Sequence, residues 1–234
     1  KDSMYNVKFF AQSTGFQAAK KINTIFEEKS GNSWLLTDNG IFMISPEMNI
    51  NHSYFFEGTS SRKKARQPFY SAIEIDKEIF FGSTDGRIWK YSKSLGKFYL
   101  LKINSESEVT GFNKLNNGVL LIRTLNDGFF IYNPKTGIVK KIITTGPFDP
   151  KNNEIEEIYE DSKGRIWISP SNLGIFMLDI NSGITKYFQI KTIDESTVAF
   201  PPKPFVFEDL KCRLWVQPRG GGFSLYNEKT GQLD

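Results

Sequence analysis

The sequence predicts an all-β protein of the β-propeller class, with about five four-stranded blades. Three observations carry that expectation: a recurring large apolar residue, a glycine at a nearly fixed distance after it, and almost no helical periodicity. The apolar landmark falls at Trp34, Phe80, Leu121, Trp167 and Trp215, at intervals of 46, 41, 46 and 48 residues. The glycine follows six or seven residues later, at Gly40, Gly86, Gly128, Gly174 and Gly222. Four short antiparallel strands in roughly 45 residues is the arithmetic of one propeller blade. The best helical stretch, near Phe16–Lys21, is only about one turn long.

The clearest copy is the fourth. Ile155, Ile158 and Tyr159 belong to a first strand that ends at Glu160–Asp161. Ser162-Lys163-Gly164 reads as a tight turn, in which Asp161 can accept turn amides and Gly164 supplies a positive φ. Arg165 to Ser169 alternates polar and apolar residues, as a half-buried second strand should. A turn at Asn172-Leu173-Gly174 leads to a third strand, Ile175–Asp179, and Asn181-Ser182-Gly183 turns into a fourth, Ile184–Phe188. The same order places repeats at about 22–58, 69–104, 109–146, 153–192 and 203–234, all within one domain or partial propeller spanning 1–234. The last copy is expected to stop before a full fourth strand, and Tyr5–Phe10 reads as a strand without its blade. A closed five-bladed ring completed by that strand and a fragment of a larger propeller both fit.

Composition narrows the chemistry. The chain has 234 residues, 39% hydrophobic and 24% charged, which is ordinary for a globular protein. One Cys excludes an intrachain disulfide, and a single His excludes a multi-histidine metal site. No apolar run reaches the 18 or so residues of a membrane helix. The net charge of +4 mildly favours anionic partners. No nucleophile elbow, phosphate loop or zinc-protease motif is present. Neither a catalytic residue nor a metal or other cofactor is expected.

The stretch from Glu160 to Gly183, EDSKGRIWISPSNLGIFMLDINSG, resembles the short propeller repeat of two-component regulators. That repeat runs close to Glu-Asp-x-x-Gly-x-Ile/Leu-Trp-Ile/Val-Gly-Thr, and echoes of it stand at Glu27–Phe42 and Glu208–Leu225. This chain departs from it at Ser169-Pro170 and Gln217-Pro218, and at Cys212, which takes the turn position held by Gly31 and Gly164. The resemblance implies a sensor region of a hybrid two-component system of gut Bacteroidetes. It implies a periplasmic location, attachment to a membrane helix and a histidine kinase through segments outside this chain, a dimer mate, and oligosaccharides as ligands. Binding without catalysis is the expected mode. A lyase or sialidase-like propeller acting on polyanionic glycans, or a scaffold for protein partners, is the alternative.

Trp34, Trp167 and Trp215 share one repeat position and are expected in the core, as is Trp89 on a third strand. Asp161 and Asp209 read as turn residues, because a calcium site would need several more oxygen ligands at close spacing. The run from Ser61 to Arg66 between the first two copies is the candidate ligand site. Arg62, Lys63, Lys64 and Arg66 supply charge for an anionic sugar, and Tyr70 stands where that loop re-enters a strand. Pro68 and Phe69 beside it, and Pro201-Pro202-Lys203-Pro204, are candidate contact loops. His52 reads as part of an inter-strand linker, and no nucleic-acid partner is expected.

Overall fold

The computed structural model describes residues 20–46, 51–54, 68–149, 155–170, 174–188, 205–217 and 223–234. All regular structure among these residues is β. Twenty strands form five four-stranded sheets, each a simple antiparallel meander in chain order. The first sheet is β1 (Ile22–Glu27), β2 (Ser33–Thr37), β3 (Gly40–Ile44) and β4 (Asn51–Tyr54). The second is β5 (Phe69–Ile75), β6 (Glu78–Ser83), β7 (Ile88–Ser92) and β8 (Lys97–Leu101). The third is β9 (Val109–Lys114), β10 (Leu120–Thr124), β11 (Phe129–Asn133) and β12 (Ile138–Ile142). The fourth is β13 (Ile155–Glu160), β14 (Ile166–Pro170), β15 (Ile175–Leu178) and β16 (Thr185–Phe188). The fifth is β17 (Phe205–Glu208), β18 (Leu214–Gln217), β19 (Ser224–Asn227) and β20 (Gln232–Leu233). The fourth strand of the last copy is only two residues long, with Leu233 facing Tyr226 and Gln232 facing Asn227. Tyr5–Phe10, Arg62, Lys63, Lys64, Arg66 and Pro201–Pro204 lie outside the described residues. His52 sits in β4, stacked on Tyr54, rather than in a linker.

The chain divides into two compact units, Lys1–Phe112 and Asn113–Asp234. In the first unit, Trp34, Leu36 and Ile41 of the first sheet bury against Phe69, Ile79 and Phe81 of the second. In the second unit, Leu121 and Phe129 pack on Ile158, Ile166, Ile168 and Phe176, while Trp167 packs on Val206, Leu214 and Val216. The apolar landmark at Trp34, Leu121 and Trp167 thus faces the sheet that follows it in the chain. Alternation with period two then sends its strand neighbours to the opposite face. The second strands β2, β6 and β14 are buried on both sides and read as apolar runs, whereas the fourth strands β8 and β12 are mostly exposed and carry Lys97, Lys140 and Lys141. Trp34 and Trp167 are fully buried, as expected for core. Trp215 is only half-buried, because no described sheet covers its face, and Phe207 and Phe223 nearby are exposed for the same reason.

A second, polar repeat joins neighbouring sheets. The turn amide of Lys29 donates to Glu74 Oε2 at 2.8 Å, that of Asn116 to Glu160 Oε2 at 2.6 Å, and that of Ser162 to Glu208 Oε2 at 2.9 Å. The partners are 45, 44 and 46 residues apart, so one glutamate at the end of a first strand clasps the turn of the sheet before it. Hydrogen bonds to a carboxylate are stronger than neutral ones, which suits a joint between sheets. Burial would raise the Glu74 carboxyl, but hydrogen bonds from Lys93 and Lys29 hold it below its usual range.

Cys212 adopts φ 55°, the left-handed conformation that Gly164 adopts at φ 76° in the equivalent turn. A side chain there costs about 1 kcal/mol that glycine avoids. Cys212→Gly is expected to raise stability by roughly that amount, read as an increased urea midpoint with unchanged slope. An unchanged or lower midpoint would contradict the strain argument.

Candidate functional site

The turn between second and third strands, together with the run leaving the fourth, opens a cleft in two successive sheets. In the second sheet Asp85-Gly86-Arg87 and Leu100–Glu106 line a cavity of about 560 Å³. In the third sheet Asn126-Asp127-Gly128 and Lys141–Thr144, with Asp149, line a smaller one of about 220 Å³. The first is the larger and carries more polar groups, so it is the candidate ligand cleft.

Its walls are fixed by local chemistry. Asp85 Oδ1 lies 2.7 Å from Ser83 Oγ, and Asp85 Oδ2 accepts Arg87 Nε at 2.7 Å. The paired Arg87 guanidinium sits 5.8 Å above the Trp89 ring, which is half-buried and packed on the first-unit core. Ile103, only 3% exposed, anchors the opposite wall, and Asn104 takes φ 46° to turn the chain over the cleft. The landmark glycine is required here. Gly86 has φ +80°, and a Cβ on it would meet the Ser105 carbonyl oxygen at 2.2 Å. Gly174 is tight for the same reason, with the Phe188 carbonyl oxygen at 2.3 Å from a Cβ position. The glycine marks the place where the chain leaving the fourth strand crosses close over the turn.

Chemically the cleft offers hydrogen-bond donors and acceptors with an apolar rim at Leu100. Asp85 is engaged by Ser83 and Arg87, which leaves it suited to recognition rather than proton transfer. Glycoside hydrolysis needs two carboxyls opposed across the substrate, and Asp85 and Glu106 are the two acids that line this cleft. Among the described residues, no group of three or more His, Cys, Asp or Glu side chains could hold a metal.

The aspartate turns are structural, as the sequence suggests. Asp161 is fully buried and accepts the amides of Lys163 and Arg165, the Arg165 Nε at 2.6 Å and the Trp167 indole at 2.8 Å. Asp209 repeats all four contacts on Lys211, Arg213 and Trp215, and hydrogen bonds led by that from Trp215 hold its carboxyl far below its usual range. Arg165 goes further: it also binds Glu228 Oε1 at 2.7 Å and lies 4.9 Å from the Tyr226 ring centre, bolting the fourth sheet to the fifth. The Arg165 hydrogen bonds lower the Glu228 carboxyl to about 2. The first sheet departs from this pattern. There Glu28 replaces Asp, its Oε1 accepts Ser30 and Asn32, and the buried Trp34 indole nitrogen has no partner among the described residues.

Of the five candidate binding residues read from the sequence, Tyr70 alone falls among the described residues. It lies on β5, 37% exposed, with its carbonyl accepting Thr24 Oγ1 at 2.6 Å. Its neighbour Phe69 is fully buried in the core and is not available as a contact residue. Two polar residues escape sequence reading, Asp85 in the cleft and Arg123 on β10. The signal for Arg123 is a lone charge inside the run Leu120-Leu121-Ile122-Arg123-Thr124.

Residues 149–172, which include β13 and β14, match the family Two component regulator propeller. No curated protein matches the chain. The fold resembles the extracellular domain of a protein described as a hybrid two-component system from B. thetaiotaomicron. That likeness has 15% identity, a TM-score of 0.58, and covers 93% of this chain and 30% of that one. The chain therefore spans less than a third of that ectodomain. It also resembles virginiamycin B lyase of Staphylococcus aureus, with 16% identity, a TM-score of 0.59, and coverage of 90% of this chain and 67% of that one. At these identities the likenesses show the fold alone. The chain carries a two-component regulator propeller repeat at residues 149–172, within an all-β fold of the propeller class.

Proposed function

We propose that this chain is ligand-sensing propeller of an extracytoplasmic, periplasmic sensor region belonging to a hybrid two-component histidine kinase. The observation that carries the reading is the regulator-propeller repeat at 149–172. The cleft beside Asp85 and Arg87 supports it, since it gathers a paired Asp85–Arg87 with Asn104, Ser105 and Glu106, groups suited to hydrogen bonds with sugar hydroxyls. The ligand is an oligosaccharide released from a complex glycan, neutral or anionic, and it is bound rather than transformed. Binding signals by favouring one arrangement of the sensor over another, with a dimer mate and the kinase as the responding parts.

A thermal-shift screen against neutral, uronic and sulfated oligosaccharides tests this. A ligand for the native state raises the unfolding temperature in proportion to ln(1 + [L]/Kd). At least one sugar is expected to give a saturable increase, and Arg62→Ser with Lys63→Ser is expected to weaken an anionic one. Silence across the panel would overturn the assignment of the site to this chain.

A further inference from the structure

Four arginines lie among the described residues, and three of them are ion-paired: Arg87 with Asp85, Arg165 with Asp161 and Glu228, and Arg213 with Asp209. Arg123 is the exception. It stands in β10 between Ile122, fully buried, and Thr124, 3% exposed, and is itself half-buried opposite Phe129. Its Nε is buried and has no hydrogen-bond partner. Burial pulls the guanidinium below its ordinary value, with no carboxylate acting against it. Glu108 and Glu157 are pushed up by burial, with no cation among the causes, so neither serves as its counter-ion.

The face on which Arg123 stands is settled by its neighbours. Leu121, two residues before it, packs on Ile158, Ile166 and Ile168 of the fourth sheet, and period-two alternation puts Arg123 on that same face. Asn113 of β9 lies two residues before Leu115, which belongs to the same cluster. The Asn113 Oδ1 is also buried and without a partner. A donor and an acceptor on one sheet face are thus both desolvated and both unsatisfied. A guanidinium Nε–H that is buried without an acceptor is costly to desolvate, and nothing in the fold repays it. Local rules are broken in this way where a site awaits its ligand.

We propose that Arg123 and Asn113 form a binding site for a small hydroxycarboxylate, its carboxylate on the Arg123 guanidinium and its hydroxyl donating to Asn113 Oδ1. Arginine is the side chain whose planar fork matches a carboxylate. The site stands on these two residues and is independent of the oligosaccharide reading.

The test uses the whole chain with lactate and gluconate as probes. Propionate, which lacks the hydroxyl, and sodium chloride of equal ionic strength are the controls. The wild type is expected to show a saturable rise in unfolding temperature with lactate or gluconate, a smaller one with propionate, and none beyond the salt baseline with chloride. Arg123→Met is expected to abolish the response while leaving the ligand-free unfolding temperature unchanged or higher, since it removes an unpaired charge. Arg123→Lys, a point charge without the fork, is expected to bind at least about tenfold more weakly than wild type. Equal responses to lactate and chloride in the wild type would overturn the proposal. A retained response in Arg123→Met, or a ligand-free unfolding temperature clearly below wild type, would overturn it as well.

Discussion

Asp161→Ala is expected to cost about 3–5 kcal/mol, the largest loss from any single polar substitution here, because it strips the partner from a buried ion pair. The carboxylate is inaccessible to solvent and accepts four hydrogen bonds, two from turn amides, one from Arg165 and one from the Trp167 indole. Alanine leaves the indole N–H buried without an acceptor, a cost of about 1–3 kcal/mol by itself. It also leaves Arg165 with only the more exposed Glu228 as a counter-ion. The second-unit core feels this directly, since Trp167 packs against Val206, Leu214 and Val216. Urea unfolding followed by tryptophan fluorescence measures it. Asp209→Ala removes the same set of contacts from a solvent-exposed turn and should cost clearly less. Equal losses at the two sites would contradict the view that burial makes this turn important.

Gly86→Ala is expected to cost more than about 2 kcal/mol and to deform the candidate cleft. The left-handed φ of +80° accounts for about 1–2 kcal/mol. The remainder comes from contact, because the new Cβ would lie 2.2 Å from the Ser105 carbonyl oxygen and 3.0 Å from the Glu106 carbonyl carbon. Both are backbone atoms, so the run from Leu101 to Glu106 must move. Gly118 provides the control: its φ is +82°, yet nothing lies within 4 Å of its Cβ position. Gly118→Ala should therefore show the conformational part alone. The difference between the two variants in urea midpoint reads the closeness of the crossing chain, and no difference would contradict the geometry.

Much of the fold is legible because each sheet repeats one solution. A residue buried between two sheets must be large and apolar, so Trp34, Leu121 and Trp167 stand out in the sequence. A turn crossed by another strand must be glycine, which is why Gly86 and Gly174 mark the period. Other features are hidden because they depend on partners some 45 residues away. The glutamates that clasp the preceding turn look like ordinary surface charges, since nothing in Glu74 or Glu208 points to Lys29 or Ser162. Trp215 shares the landmark position with Trp167, but its exposure depends on what covers the fifth sheet, which pattern alone does not contain. The candidate cleft is not legible in the sequence because Asp85 and Arg87 occupy a turn where such residues are common, and the wall opposite them comes from Ile103 to Glu106. Arg123 escapes sequence reading because its lack of a counter-ion is a three-dimensional fact.

The central claim is that this propeller binds an oligosaccharide and leaves it intact. Calorimetric titration of the sugar that stabilises the chain most, followed by chromatography of the sugar recovered from the same cell, tests it most directly. The account predicts saturable heat near one site per chain and an unaltered oligosaccharide. A cleaved or eliminated product, or the absence of saturable heat, would contradict it.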